Sequence, residues 1–366
     1  MGKHLKLSDG YSFSLTISRA SCVIVLLIAS ILYGLAVCRP IIPLPDEEGK
    51  TRDKALKLYQ TVVEQIQTGK SYYSVVGHEL RRIGYPTRSV FNWRLPALAW
   101  FLGQLPSVRT GQTLGFILSM TTLLIWLIVL HQSQYAIWQF FLGGLFLSGP
   151  IIYSLFPGTF LLHEFWAGTL IAISLAAHAN GWRYISIVSG LMALFLRELT
   201  LPFVCIMMVL AYAEGQRREA LIWLIGLLIF GGELLFHWTI VSRLITENDK
   251  ALQGGWIVFG GWPFVLNTAQ MHPFFLTFPP WVIAIILPLA LLGFAVRLDA
   301  SGMRVAFTIG IYVLAFLIVG RPNDIAWGLM YAFIMPLGLL HVPYAIGKLW
   351  QPFQMKLHGK VQKDKQ

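Results

Sequence analysis

The chain has 366 residues, 56% hydrophobic and only 12% charged, with a mean hydropathy of +0.65. A soluble domain carries about 25% charged residues, so composition excludes an ordinary soluble fold. The formal charge of +11 comes from basic residues scattered along the chain rather than gathered in one stripe between exposed aromatics, which argues against a nucleic-acid partner.

The fold class expected is an all-α polytopic membrane protein. Runs such as Cys22–Val37, Leu114–Leu130 and Trp281–Val296 carry no charge, and spans take about 17–25 apolar residues. In that setting the basic residues act as topology signals and lipid-headgroup contacts, and the 13 Trp and 13 Tyr suit interfacial belts. Met1–Ser14, with Lys3, His4 and Lys6, is expected to be cytoplasmic. The first span, Ile17–Val37, is long for a signal-peptide core of about 7–15 residues. Leu35-Ala36-Val37-Cys38 loosely resembles a lipoprotein processing site, which Val37 fits poorly. Three cysteines give no disulfide framework, and Cys22 and Cys205 read as small hydrophobes.

A first extracytoplasmic loop follows at 39–110. It holds eleven Lys and Arg residues between hydrophobic runs, and the chemistry of the protein is expected under it. Ala55, Leu58, Val62, Val63 and Ile66 recur at helical spacing opposite Lys54, Lys57, Glu64 and Gln67. That spacing predicts an interfacial amphipathic helix stopped at Gly69. A second interfacial helix is expected from Pro96 to Leu105.

Further spans are expected at about 111–130, 136–155, 163–179, 184–197, 200–213, 220–240, 280–296, 305–320 and 326–345. The apolar run Tyr184–Tyr212 is broken only by Arg197, Glu198 and Pro202. As two short helices it puts Gln216-Arg217-Arg218, the Arg297/Arg304 loop and the lysine-rich tail all on the cytoplasmic side, as the positive-inside rule asks. Each half spans only ~21 Å at 1.5 Å per residue, so the junction must sink to membrane depth and line a cavity or be buried in protein. The expectation is about ten spans in a single integral-membrane domain, with a second large outer loop at 241–279, a basic tail at 346–366 and both termini cytoplasmic.

Asp46, Glu47 and Glu48, just past the first span, are candidate catalytic carboxylates at the outer surface; helix capping explains acidic residues there as well. Arg197-Glu198 is either an ion pair holding the junction or an anion site. In His163-Glu164 no second histidine follows at i+4, so the zinc motif HExxH is absent, and Glu164 either faces the cavity or caps a helix. Arg321 could meet a phosphate, and Asn323 or Asp324 a sugar hydroxyl, unless the segment is a plain solvated turn. Tyr72, Tyr73, Trp93, Arg94 and Trp262 could grip a sugar, although interfacial aromatics need no such role; His272 reads as an ordinary loop residue. No Walker loop, GxGxxG, GxSxG or CxxC occurs, so neither a nucleotide nor a soluble cofactor is expected. No residue set points to a metal, and a need for a divalent ion stays open.

This layout resembles the GT-C class of integral-membrane glycosyltransferases: a cytoplasmic N-terminus, a first span ending in the acidic motif Asp46-Glu47-Glu48, and a long first outer loop running through Gly69-Lys70-Ser71-Tyr72-Tyr73 and Tyr85–Pro96. The resemblance implies a polyprenyl-phosphate sugar as donor, a glycan, lipid or protein hydroxyl as acceptor, and the first-loop carboxylate, here Asp46, as base. For such a reaction Arg197 and Arg321, and less strongly Arg94, are expected as partners of the departing phosphate. The expected address is a membrane, with a leaning to a bacterial inner membrane. Two rival readings are a transporter or flippase of lipid-linked sugars and a partner subunit of a membrane complex.

Overall fold

The computed structural model describes residues 17–38, 47–133, 135–251, 255, 257–296 and 300–363. All regular structure among them is helical. Helix α1 (Ile17–Val37) is followed by three helices of the first loop: α2 (Glu47–Gln67), α3 (Tyr72–Arg82) and α4 (Ala97–Gly103). Then come α5 (Val108–Gln132), α6 (Ile137–Leu147), α7 (Gly149–Leu155), α8 (His163–Ala179), α9 (Arg183–Leu196), α10 (Leu201–Ala213) and α11 (Arg217–Leu244). The chain closes with α12 (Gly261–Ala269), α13 (Pro280–Ala295), α14 (Ala300–Ile318), α15 (Leu329–Ala332) and α16 (Val342–Lys363).

Four helical segments are long and apolar enough to cross a membrane: Ser18–Val37, Val108–Gln132, Ile137–Leu155 and Arg217–Leu244. A fifth is added if Pro322–Ala332 and Met335–Lys356, which meet at a 53° bend, form one span. Each of the ten segments expected to span contains helix, but four of the others are short: 183–196, 198–213, 280–295 and 302–318. Helix α8 is covered by protein from His163 to His178, whereas α1 leaves Leu26 and Leu32 at least 60% exposed. A helix apolar all round belongs in a core, and α8 is the inner post against which α5, α9, α14 and α15 pack.

Close approach inside this core depends on missing side chains. A Cβ on Gly168 would lie 2.1 Å from the Leu329 carbonyl oxygen, and one on Gly293 would lie 1.9 Å from that of Gly338. Small residues let helix backbones touch in this way. The expected span 326–345 is not one continuous α-helix: 3₁₀ stretches at Pro322–Gly328 and Met335–His341 flank the four-residue α15, and α16 begins only at Val342.

The first-loop helices form a lid of their own. On α2, Leu58, Val62, Val63 and Ile66 are buried while Lys54, Lys57 and Glu64 are exposed, and the chain reverses at Gly69, whose φ is +88°. The buried stripe meets Tyr72, Val75, Val76 and Leu80 of α3 and Ala99 of α4. The lid is tied to the loop after α11 by Asp249, which accepts from Arg81 Nε (2.8 Å), Arg81 Nη2 (2.9 Å) and Thr87 Oγ1 (2.6 Å). Those hydrogen bonds outweigh burial and hold the Asp249 carboxyl well below the usual carboxylate range.

Helices α9 and α10 are separate, with Arg197 extended (φ −150°, ψ 115°) and a 3₁₀ turn over Glu198–Thr200 between them. Pro202 in the first turn of α10 explains why α9 does not continue. Two of the junction's polar groups are met by protein: Thr200 Oγ1 donates to the Ala193 carbonyl (3.1 Å) and the Leu199 carbonyl accepts from Tyr312 (3.0 Å).

Candidate functional site

Under the lid lies a cavity of about 640 Å³, within the ~300–1,000 Å³ range of small-molecule sites. Its walls are apolar side chains of α2, α3 and α4, among them Leu58, Val62, Val76, Leu80 and Leu98. Its polar groups come from separate parts of the chain: Lys54 and Tyr59 of α2, Tyr85 and Arg94 of the loop after α3, His163 at the start of α8, and Arg321, Asn323 and Asp324 beyond α14. The result is an amphiphilic hollow, oily on one side and charged on the other.

Arg94 is set rigidly. The preceding Trp93 is 2% exposed, donates to the Thr87 carbonyl (3.0 Å), and its own carbonyl oxygen meets His237 Nε2 at 3.0 Å. Tyr72 donates to the Arg94 carbonyl. The Arg94 guanidinium then reaches into the cavity, donating through Nε to Tyr59 (3.3 Å), with Nη1 3.7 Å from Glu198 Oε1. Burial works against its charge, but Tyr59, Glu164 and Glu198 more than compensate and raise its pKa well above the ordinary value. Arg94 is therefore a fixed cation whose nearest carboxylate is held only loosely.

Beneath it sits an ion cluster. Arg197 is 1% exposed, with Nη2 2.9 Å from Glu164 Oε1 and Nη1 bonded to Glu198. Glu164, Arg197 and Glu198 come together, but none of them lines the cavity. The expectation that Arg197 grips a phosphate is thus not matched by its position: two carboxylates already claim its charge, and the ion-pair reading of the junction fits the geometry.

Of the other expected residues, Arg94, Arg321 and Asn323 share the cavity wall. Tyr73 does not: its hydroxyl lies 3.0 Å from His237 Nδ1 on α11, and burial, with Glu233 nearby, pushes its pKa up to about 12. It points away because the neighbouring position on α3, Tyr72, takes the cavity side. Trp262 packs against Gly34 of α1, and His272 is buried with Nε2 2.9 Å from the Phe146 carbonyl oxygen. Asp46 lies outside the described residues; Glu47 and Glu48 open α2, two turns before Lys54, and their side chains are likewise outside the description.

The sequence assigns no role to Tyr59 or Tyr85, which line the cavity, and leaves the parts of two further cavity groups open. Asp324, an alternative to Asn323 for a sugar hydroxyl, is the carboxylate that lines the cavity among the described residues. His163 was weighed only as a metal ligand; it is 4% exposed, lines the cavity, and neither ring nitrogen has a hydrogen-bond partner among the described residues. Among the described residues no group of three or more His, Cys, Asp or Glu is placed to hold a metal ion.

No protein-family model matches the chain, and neither a curated protein nor a solved structure matches it.

Proposed function

We propose that this protein is a membrane glycosyltransferase that moves a sugar from a polyprenyl-phosphate donor to a hydroxyl acceptor at the outer face of the bilayer. One observation carries the reading: two arginines, Arg94 and Arg321, a carboxylate, Asp324, and an apolar wall share one cavity roofed by the first-loop helices. A lipid-linked sugar phosphate has those three needs, for cations, an acid–base group and grease.

The chemistry asks little of the protein. A carboxylate takes the proton of the acceptor hydroxyl as its oxygen bonds to the sugar C1. The bond from C1 to the phosphate oxygen breaks, and the electron pair leaves with the lipid phosphate, whose charge Arg94 and Arg321 offset. Positive charge builds on the sugar ring between these groups, as in other glycosyl transfers. Asp324 joins Asp46, Glu47 and Glu48 as a candidate base, while Arg197 is assigned to holding Glu164 and Glu198 in place. In this reading the ten hydrophobic segments are all spans, both termini are cytoplasmic and the membrane is a bacterial inner membrane.

The test is to incubate purified protein in nanodiscs with polyprenyl-phosphate sugars and measure release of lipid phosphate. Transfer is expected from the wild type. Replacing the base, by Asp46→Asn, Glu47→Gln, Glu48→Gln or Asp324→Asn, should lower turnover by about 10²–10⁴-fold in one of the four. Absence of release with every donor sugar, or full activity in all four variants, refutes the reading. A flippase would move the donor across the bilayer and leave the sugar–phosphate bond intact.

A further inference from the structure

We propose that His163 is a sugar-binding residue of this site, pairing its two ring nitrogens with hydroxyl groups of the donor's sugar. This rests on the cavity being a site for a lipid-linked sugar.

The argument starts from an unmet demand. His163 is 4% exposed and lines the cavity, yet Nδ1 and Nε2 both lack a hydrogen-bond partner among the described residues. Buried polar atoms are almost always paired, so two orphans on one ring mark a place where something else supplies the partner. The neighbours give no such relief. Tyr59 meets the imidazole edge-on at a ring separation of 5.4 Å, and the Tyr59 hydroxyl is already engaged by Arg94.

The chemistry of the ring selects the partner. A neutral imidazole offers one donor and one acceptor. A phosphate oxygen without its proton only accepts, so it would leave one ring nitrogen unpaired. A hydrocarbon would leave both unpaired. A hydroxyl both gives and takes a proton, and neighbouring hydroxyls on a sugar ring can serve both nitrogens. The cavity also divides the labour: Arg94 and Arg321 supply positive charge for phosphate, and the α2–α4 wall suits the lipid chain. What remains for His163 is the sugar between them. Its place at the first residue of α8, the most buried helix, fixes the ring without loop freedom.

The experiment uses the full-length protein in nanodiscs and two probes, farnesyl phosphate and farnesyl phosphate carrying a hexose, with mannose, glucose and galactose tried in turn. Binding is measured for wild type and His163→Ala, with His163→Asn as a second variant that keeps a donor and an acceptor. His163→Ala should weaken the hexose-bearing probe about ten-fold, leave farnesyl phosphate within two-fold, and be partly rescued in His163→Asn. Equal losses for both probes, no loss for either, or no binding of any hexose-bearing probe to the wild type overturns the proposal. The two readings fail separately. Selective loss of hexose binding without any lipid-phosphate release keeps His163 as a sugar contact and removes the transferase. Sugar transfer that is unchanged in His163→Ala keeps the transferase and removes this role.

Discussion

Arg197→Met isolates the charge at the broken helix. Arg197 Nη2 lies 2.9 Å from Glu164 Oε1, and the two side chains are 1% and 8% exposed. At that distance and an effective dielectric of about 20 the gross attraction is roughly 6 kcal/mol, and breaking such a buried pair costs about 3–5 kcal/mol net. Glu198 keeps Arg94 within 3.7 Å, whereas Glu164 has no second ion pair among the described residues, so the penalty falls on Glu164. Equilibrium unfolding in mixed micelles should therefore read a loss of about 4 kcal/mol for Arg197→Met. The double variant Glu164→Gln/Arg197→Met, which removes both charges, should recover most of it. A loss below about 1 kcal/mol, or a double variant as damaged as the sum of the singles, refutes the assignment. A stable Arg197→Met protein that has lost sugar transfer would return Arg197 to the phosphate.

Asp249→Asn should lower stability by about 2 kcal/mol, discounted because Arg81 is 39% exposed. Since the folded carboxyl titrates below the unfolded one, its contribution is complete above about pH 4 and is lost as pH falls further, so melting curves of wild type and variant should converge in acid. Gly293→Ala drives a methyl into the Gly338 carbonyl and should cost about 3 kcal/mol, while Gly310→Ala, with nothing within 4 Å, should be neutral or slightly stabilising; equal melting temperatures would contradict the packing. Tyr73→Phe removes only the contact to His237, and should cost about 1 kcal/mol with turnover unchanged.

How far the sequence carries the reader depends on what kind of signal a residue leaves. The α2 face was legible because Leu58, Val62 and Ile66 repeat at helical spacing, and Gly69 ends the turn. The interruption at 197–202 was legible because two charges and a proline stand in an apolar run. Partnership was not legible. Arg81 and Asp249 meet although they lie on different loops, and nothing local in either segment points to the other. Arg197 looks free for an anion until Glu164 is seen beside it. His163 looked like half of a failed metal motif, because its want of a partner is a property of the fold. The stretch 325–340 reads as uniformly apolar, and its bend goes with close backbone contacts at Gly328 and Gly338 that hydropathy does not register.

Both extremities of α9 are riveted: Arg183 to Glu219 at 2.6 Å on the far side of the bundle, and Arg197 to Glu164 at the near side. Helix α10 is riveted in turn where Glu214, its C-terminal cap, meets Arg304 at 2.6 Å. A motion that parts α9 from α8 or α11, or α10 from α14, must therefore first break an ion pair.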